Sequence, residues 1–292
     1  MNSVTEKGYA KINLGLDVTG RRPNGYHDLR MIMQTIGLYD TVTIQRTEED
    51  GIILTTDNPT LPCDESNLIY KAAVLMRDTY SLTDGVRIRL EKRIPVAAGL
   101  AGGSTDAACV FRGMSRLFDL QLSEDELRKI SLLIGADVPY CISGGTFLAE
   151  GIGEILTPLS DLPEIPLVLI KPGFDVSTKY VYENLHANEL KEHPDITSQC
   201  EAIEKEDLGR MAKLMGNVLE KVTVTKYPEI EEIKNDFISL GSYGAMMSGS
   251  GPSVFGLFQT REDAEKAFLS MKEKYSSAQV FLTETKKADY QF

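Results

Sequence analysis

The chain of 292 residues has no tryptophan, four cysteines, three histidines and a shortage of basic side chains. The cysteines, Cys63, Cys109, Cys141 and Cys200, include no CxxC pair, which excludes a zinc ribbon or a thioredoxin-like redox pair. Buried, reduced thiols are expected of them rather than disulfides. His27, His186 and His193 supply no HExxH or Cys/His spacing. No run approaches 18 apolar residues, so no membrane-spanning helix is expected. The first residues lack a basic stretch followed by an apolar one, so no signal peptide is expected either. With 31 Lys+Arg against 43 Asp+Glu, the formal charge is −12 and the pI about 4.9. Nonspecific binding to nucleic acid or to an anionic membrane needs a basic surface, so neither is expected as a partner. The protein reads as soluble and cytoplasmic.

What is present is ordinary globular material, 42% hydrophobic and 25% charged, and the length suits two domains or one large one. Residues 9–18 alternate, with Ile12, Leu14, Leu16 and Val18 on one face and Lys11, Asn13 and Asp17 on the other. This is the pattern of a half-buried strand with a polar second face. Further strands are expected at 38–45, 51–56 and 86–90, and a helix at 67–80. A glycine-rich stretch from 95 runs into a helical pattern through 118. Ser123 with Glu126 forms a capping-box signature for the next helix, which is expected to end near 135. Residues 160–166 (SDLPEIP) read as a connection between domains. Beyond it a strand at 167–171, a helix-rich middle including 228–240, strands at 244–247 and 253–258, a helix at 261–275 and a strand at 279–283 resemble a split βαβ, ferredoxin-like layout.

The strongest chemical signal is Pro95-Val96-Ala97-Ala98-Gly99-Leu100-Ala101-Gly102-Gly103-Ser104-Thr105, followed by Asp106. Small residues let the backbone approach a ligand closely, and the free N–H groups at the start of the following helix suit a phosphate. The chain has no GK[ST] and no GxGxxG, so the loop is neither a Walker A loop nor a dinucleotide fingerprint. Taken alone it also reads as a tight loop capped by Ser, Thr or Asp. A second glycine stretch, residues 247–253, reads alone as a hairpin turn, and becomes notable if both loops face one cleft. Most lysines placed like Lys11 are solvated, and Asp137 reads alone as a turn or capping aspartate before a Pro-constrained turn. Asn24-Gly25 marks a hairpin, after which Tyr26 and His27 could stack on and hydrogen-bond a planar ring.

Three blocks in one order, Ala10-Lys11-Ile12-Asn13-Leu14, the loop at 95–106 and residues 247–253, resemble the GHMP kinase superfamily (galacto-, homoserine, mevalonate and phosphomevalonate kinases). The stretches at 10–29, 135–141 (GADVPYC) and 144–154 (GGTFLAEGIGE) resemble its branch acting on a cytidine diphosphate alcohol. The resemblance implies an α+β, two-domain fold. An N-terminal, ATP-binding, ribosomal-protein-S5-like domain would occupy 1–160 and a ferredoxin-like domain with helical insertions 161–292. It implies transfer of the ATP γ-phosphoryl group to the 2-hydroxyl of 4-CDP-2-C-methyl-D-erythritol, in non-mevalonate isopentenyl diphosphate synthesis. Asp137 would be the catalytic base and Lys11 its partner. Residues 95–105 and Asn67 would bind ATP with Mg²⁺, whose side-chain ligand, Ser104 or Thr105 or neither, stays open. Tyr26, His27 and Tyr182 would hold cytosine, Thr178 the substrate's phosphate region and Asn13 the substrate. A monomer or weak homodimer is expected. The alternatives are a homoserine or mevalonate kinase, or a noncatalytic nucleotide-binding protein on the same fold. Gly25-Tyr26-His27 speaks against the first, whose substrates carry no base, and the presence of both Lys11 and Asp137 against the second.

Overall fold

The computed structural model describes residues 2–23, 25–288 and 290. Two very long strands, β1 (Ser3–Arg21) and β2 (His27–Thr47), pair antiparallel from Ser3↔Gln45 to Arg21↔His27. At the turn Arg22 N–H donates to Tyr26 O at 2.7 Å; Asn24, expected in this turn, lies outside the described residues. After β3 (Ile52–Thr56) come α1 (Leu68–Tyr80), β4 (Gly85–Glu91), α2 (Gly102–Leu117), α3 (Glu124–Ser131), α4 (Val138–Ser143), β5 (Thr146–Gly151) and β6 (Ile155–Pro158). They complete a six-stranded sheet in the order β3-β4-β2-β5-β6, with β1 on the opposite edge of β2. Strand β2 is long enough to hold two neighbours end to end: residues 41–47 pair with β4 and 29–34 with β5.

The second half contains β7 (Pro166–Lys171), α5 (Thr178–Asn184), α6 (Ile196–Glu204), α7 (Leu208–Lys213), α8 (Glu220–Lys226), α9 (Glu229–Ser239), β8 (Gly244–Met247), β9 (Val254–Leu257), α10 (Arg261–Lys274) and β10 (Gln279–Glu284). Its sheet runs β10-β7-β9-β8, with every neighbouring pair antiparallel. Numbered within the sheet this is 4-1-3-2, the order of a split βαβ fold with extra helices inserted after its first strand.

Strand β1 departs from simple alternation. The register shifts between Asn13 and Gly15, and such a bulge puts residues on either side of it on different faces. Ala10, Ile12 and Leu14 pack with Leu167, Leu169, Met246 and Phe255 of the second sheet. Leu16 and Val18 instead join the other core cluster, which includes Met31 and Met33 of β2 and extends into the second half, and Leu16 comes to the same cleft as Lys11 and Asn13. The second face is not solvated: Lys11, Asn13 and Asp17 are all buried, and Asp17 is bonded to His193 Nδ1 at 2.7 Å.

The hairpin β5–β6 and helix α4 have no counterpart in the sequence reading. Residues 138–143 form a helix where a turn was expected, with Pro139 in its first turn, where a missing N–H costs nothing. Of the four free cysteines, Cys109 and Cys141 are buried and Cys200 half-buried, whereas Cys63 is exposed, against expectation. Among the described residues no helix is long and apolar enough to cross a membrane.

Candidate active site

A cleft of about 1060 Å³ runs along the polar face of β1 between the two halves. Its first wall is the glycine-rich loop. Asp40 Oδ1 accepts from the N–H groups of Arg93 at 2.5 Å and Ile94 at 2.8 Å, fixing the chain as it leaves β4. Lys92 lies buried between Asp40 and Asp106, 2.8 Å from Asp106 Oδ2. Beyond this anchor Pro95, Val96, Ala97, Ala98, Gly99, Leu100, Ala101, Gly102, Gly103 and Ser104 all border the cleft, as does Asn67. The alanines Ala97 (φ +51°) and Ala101 (φ +56°) are left-handed, at a cost of about 1–2 kcal/mol each. The loop's shape is therefore imposed by its surroundings. Ala101 is the N-cap of α2 and makes no side-chain capping bond, so no side chain caps the first-turn amides of Gly102, Gly103 and Ser104. An uncapped helix N-terminus at a cleft suits a phosphate.

Asn67 is itself a cap. Its Oδ1 accepts from Ile69 N–H at 2.9 Å, and its amide donates to Pro62 O at 2.7 Å. Thr105, expected among the phosphate ligands, does not reach the cleft. It is fully buried, packs where Gly8 of β1 leaves room, and its N–H already donates to Ala101 O at 2.9 Å. In a helix, successive side chains point about 100° apart, so Ser104 at the cleft sends Thr105 inward.

The second glycine stretch meets the first. Ser248 Oγ donates to Gly99 O at 2.9 Å, and a Cβ on Gly99 would lie 2.1 Å from Ser248 O. Gly99 has φ +76°, so both its conformation and its neighbour exclude a side chain. Gly249 and Ser250 border the same cleft, and Thr178 Oγ1 lies 2.8 Å from Ser250 Oγ. The loop between β8 and β9 is no loose turn: Ser248, Ser250 and Ser253 are buried, and the Asn217 amide donates to Met247 O at 2.9 Å and Gly249 O at 2.8 Å.

At the meeting point of these loops lies Lys11. Its N–H donates to Leu100 O at 3.1 Å, and its ammonium donates to Asn13 Oδ1 at 2.8 Å. Asn13 in turn donates to Met31 Sδ at 3.3 Å. Burial pushes the Lys11 pKa down, opposed by the charge of Asp137 and by Cys141. Asp137 is the N-cap of α4, yet its carboxylate makes no capping bond, which leaves it available to the cleft it borders.

The aromatic end is built from both halves. Tyr26 is 59% exposed, whereas His27 is 7% exposed, with its ring 5.3 Å from that of Tyr182 on α5. His27 Nε2 is buried without a hydrogen-bond partner. Burial, then the Arg21 charge, lowers the His27 pKa, so the ring is neutral at pH 7. Burial, then the charge of Asp137, raises that of the Tyr182 hydroxyl.

Sequence reasoning missed Lys92, Asp40 and Asn217. Lys92 had a signal, its position three residues before Pro95. The others are joined only by tertiary structure.

The chain can be set beside known proteins. The family model for the GHMP kinases N terminal domain matches residues 67–145, and the one for GHMP kinases C terminal matches 200–277. The chain is 52% identical over 283 residues to the 4-diphosphocytidyl-2-C-methyl-D-erythritol kinase of Lachnoclostridium phytofermentans, covering 97% of each. It is 50% identical to the protein of that name in Clostridium perfringens, over 96% of this chain and 97% of the other. A crystal structure of 4-(cytidine 5'-diphospho)-2C-methyl-D-erythritol kinase superposes with a TM-score of 0.83 at 31% identity, covering 98% of this chain and all of that one. The homoserine kinase of Cytophaga hutchinsonii, at 19% identity and a TM-score of 0.80 over 98% of this chain and 96% of its own, shares the fold.

Proposed function

The chain belongs to the GHMP kinases, and among them to the 4-diphosphocytidyl-2-C-methyl-D-erythritol kinases, and from this we propose how its cleft works. ATP lies at the glycine-rich end and 4-CDP-2-C-methyl-D-erythritol at the aromatic end, and the γ-phosphoryl group passes to the substrate's 2-hydroxyl. The observation that carries this reading is that a single cleft is bordered by the glycine-rich loop, by Lys11 and Asp137, and by His27 and Tyr182.

In the reaction Asp137 takes the proton of the 2-hydroxyl, whose oxygen forms a bond to the γ-phosphorus. The bond from that phosphorus to the bridging oxygen breaks, and ADP leaves. A weak base suffices because phosphoryl transfer passes through a loose transition state governed by positioning and charge. Lys11, its ammonium held 2.8 Å from Asn13 Oδ1, orients the attacking hydroxyl. The amides of Ala98 to Ser104 cradle the phosphates. The unpartnered His27 Nε2 bonds the edge of cytosine while Tyr26 and Tyr182 cover its faces, and Thr178 contacts the substrate's phosphates.

Among the described residues no group of three His, Cys, Asp or Glu side chains could cage a metal. Mg²⁺ takes few protein oxygens when phosphates supply the rest, and the Ser104 hydroxyl borders the cleft at the start of α2. Ser104 would hold this ion together with the nucleotide, and the bound ion would neutralise phosphate charge. We place the division between the domains at residues 160 and 161, in the segment between β6 and β7. The decisive experiment supplies ATP and Mg²⁺ with CDP-methylerythritol, mevalonate or homoserine in separate reactions. ADP release with the first alone is expected; release with only mevalonate or homoserine would refute the assignment.

A further inference from the structure

Helix α4, which begins at Asp137, is six residues long, about 9 Å at 1.5 Å per residue. So short a helix has little rigidity of its own. Its far end is held by a side chain from another element. Arg112, in the middle of α2 and fully buried, donates from Nη1 to Cys141 O at 2.8 Å and to Ile142 O at 3.2 Å. Cys141 N–H in turn donates to Asp137 O at 3.1 Å. Two hydrogen bonds in series therefore join the Arg112 guanidinium to the backbone of Asp137.

Arg112 is fixed from two further sides. Its Nε donates to Glu6 Oε2 at 3.2 Å. Over its face, with Cζ 3.7 Å from the ring centroid, lies Tyr290, a residue from the far end of the chain. Tyr290 arrives there because the segment after β10 crosses from the second sheet back onto the first. Thr285 bridges to Ile36, Lys286 N–H donates to Thr35 O at 2.9 Å, and Gln34 Nε2 donates to Lys286 O at 3.0 Å. The Tyr290 ring also covers the residue that ends α4. A Cβ on Gly144 would lie 2.8 Å from Tyr290 Cε2. Gly144, the C-cap of α4 with φ +64°, is therefore a residue without a side chain under an aromatic ring.

We propose that Arg112 is a positioning residue for Asp137 and that Tyr290 is the strap that holds Arg112 in place. The C-terminal segment thereby sets the catalytic carboxylate from the side of the helix away from the cleft. This rests on Asp137 being the base. A guanidinium under a ring face gains cation–π attraction when desolvated. Without the ring, Arg112 can swing toward Glu6, and the end of α4 loosens. Misplacement of a reacting group by about 1 Å can cost up to about a hundredfold in rate.

The test compares Tyr290→Leu, Tyr290→Phe, Arg112→Lys and Asp137→Asn in the full-length protein, with kcat, KM for ATP and for CDP-methylerythritol, and thermal melting measured for each. Tyr290→Leu should lower kcat roughly tenfold, with both KM values within about twofold and a melting curve that remains cooperative. Tyr290→Phe should restore kcat, because the ring face and not the hydroxyl covers Arg112. Arg112→Lys should fall in kcat as Tyr290→Leu does, since an ammonium cannot span Glu6 and both carbonyls. Adding Tyr290→Leu to Asp137→Asn should cost nothing more, because the strap acts through that side chain. Unchanged kcat in Tyr290→Leu, or a further loss in the double variant, would overturn the strap while leaving Asp137 as the base. Full activity in Asp137→Asn would overturn the reading of Asp137 and the strap with it.

Discussion

Two buried side chains in the cleft are defined by what their surroundings do to their charge. Lys11 carries its charge against the cost of burial, with Asn13 and Asp137 opposing that cost. His27 is the reverse case: burial and Arg21 favour its neutral form, and its Nε2 is left without a partner. A buried nitrogen with no partner costs about 1–3 kcal/mol, which a cytosine edge would recover on binding. The sign of the pH effect follows. A lowered pKa means that the neutral ring persists as pH falls through the ordinary histidine value of about 6.5. The KM for CDP-methylerythritol should therefore stay flat from pH 8 to that value and rise only below it. Initial rates across pH at saturating ATP check this, and an inflection above the ordinary value would contradict it.

Among elements, the glycine loop and the β8–β9 loop act as one unit, because each blocks the other's movement at Gly99 and Ser248. Gly99→Ala combines a φ of +76° with a Cβ 2.1 Å from Ser248 O. It should raise the KM for ATP at least about tenfold or lower the melting temperature, since one loop must yield. Gly103→Ala is the control for strain: its Cβ meets only Leu68 Cδ1 at 3.5 Å, so the melting temperature should hold. Nucleotide titration together with thermal melts of both variants separates the two effects. Helix α3 was legible from the sequence, because Ser123 and Glu126 cap each other within three residues and need nothing distant. Helix α4 was not. Six residues containing a proline have no period to read, and the bonds that hold its far end come from Arg112.

For the molecule as a whole, the two sheets share a core in which Ala10, Ile12 and Leu14 of β1 pack with Leu167, Leu169 and Phe255. A strand common to both halves should make them unfold together. Urea titration followed by far-UV circular dichroism and by tyrosine fluorescence should give coincident, single transitions. Ile12→Ala should shift both equally, by about 2–5 kcal/mol. Separate midpoints would show that the halves are independent. The formal charge of −12 belongs to the exterior at large, while the proposed ligands are themselves polyanions. Attraction must then be local, from uncapped amides at the start of α2 and from Lys11, acting where water is excluded.

The sequence by itself determined the first strand, the capped helix α3, the order of strands and helices from β8 to β10, the glycine loop and the order of the blocks that carry the family resemblance. Each of these is written in residues close together along the chain, where periodicity, capping and turn chemistry operate. Only the tertiary structure decided that Lys11 and Asn13 are buried, that the two glycine loops touch, and that Thr105 faces the interior. It also decided that Arg112, Tyr290 and Asp137 belong together, although 25 residues separate Asp137 from Arg112 and 153 separate it from Tyr290. The physical reason is the same in each case. A bulge changes which face a residue occupies, and burial changes which charge it favours. Neither is set by the neighbours in the chain; both are set by what packs against them.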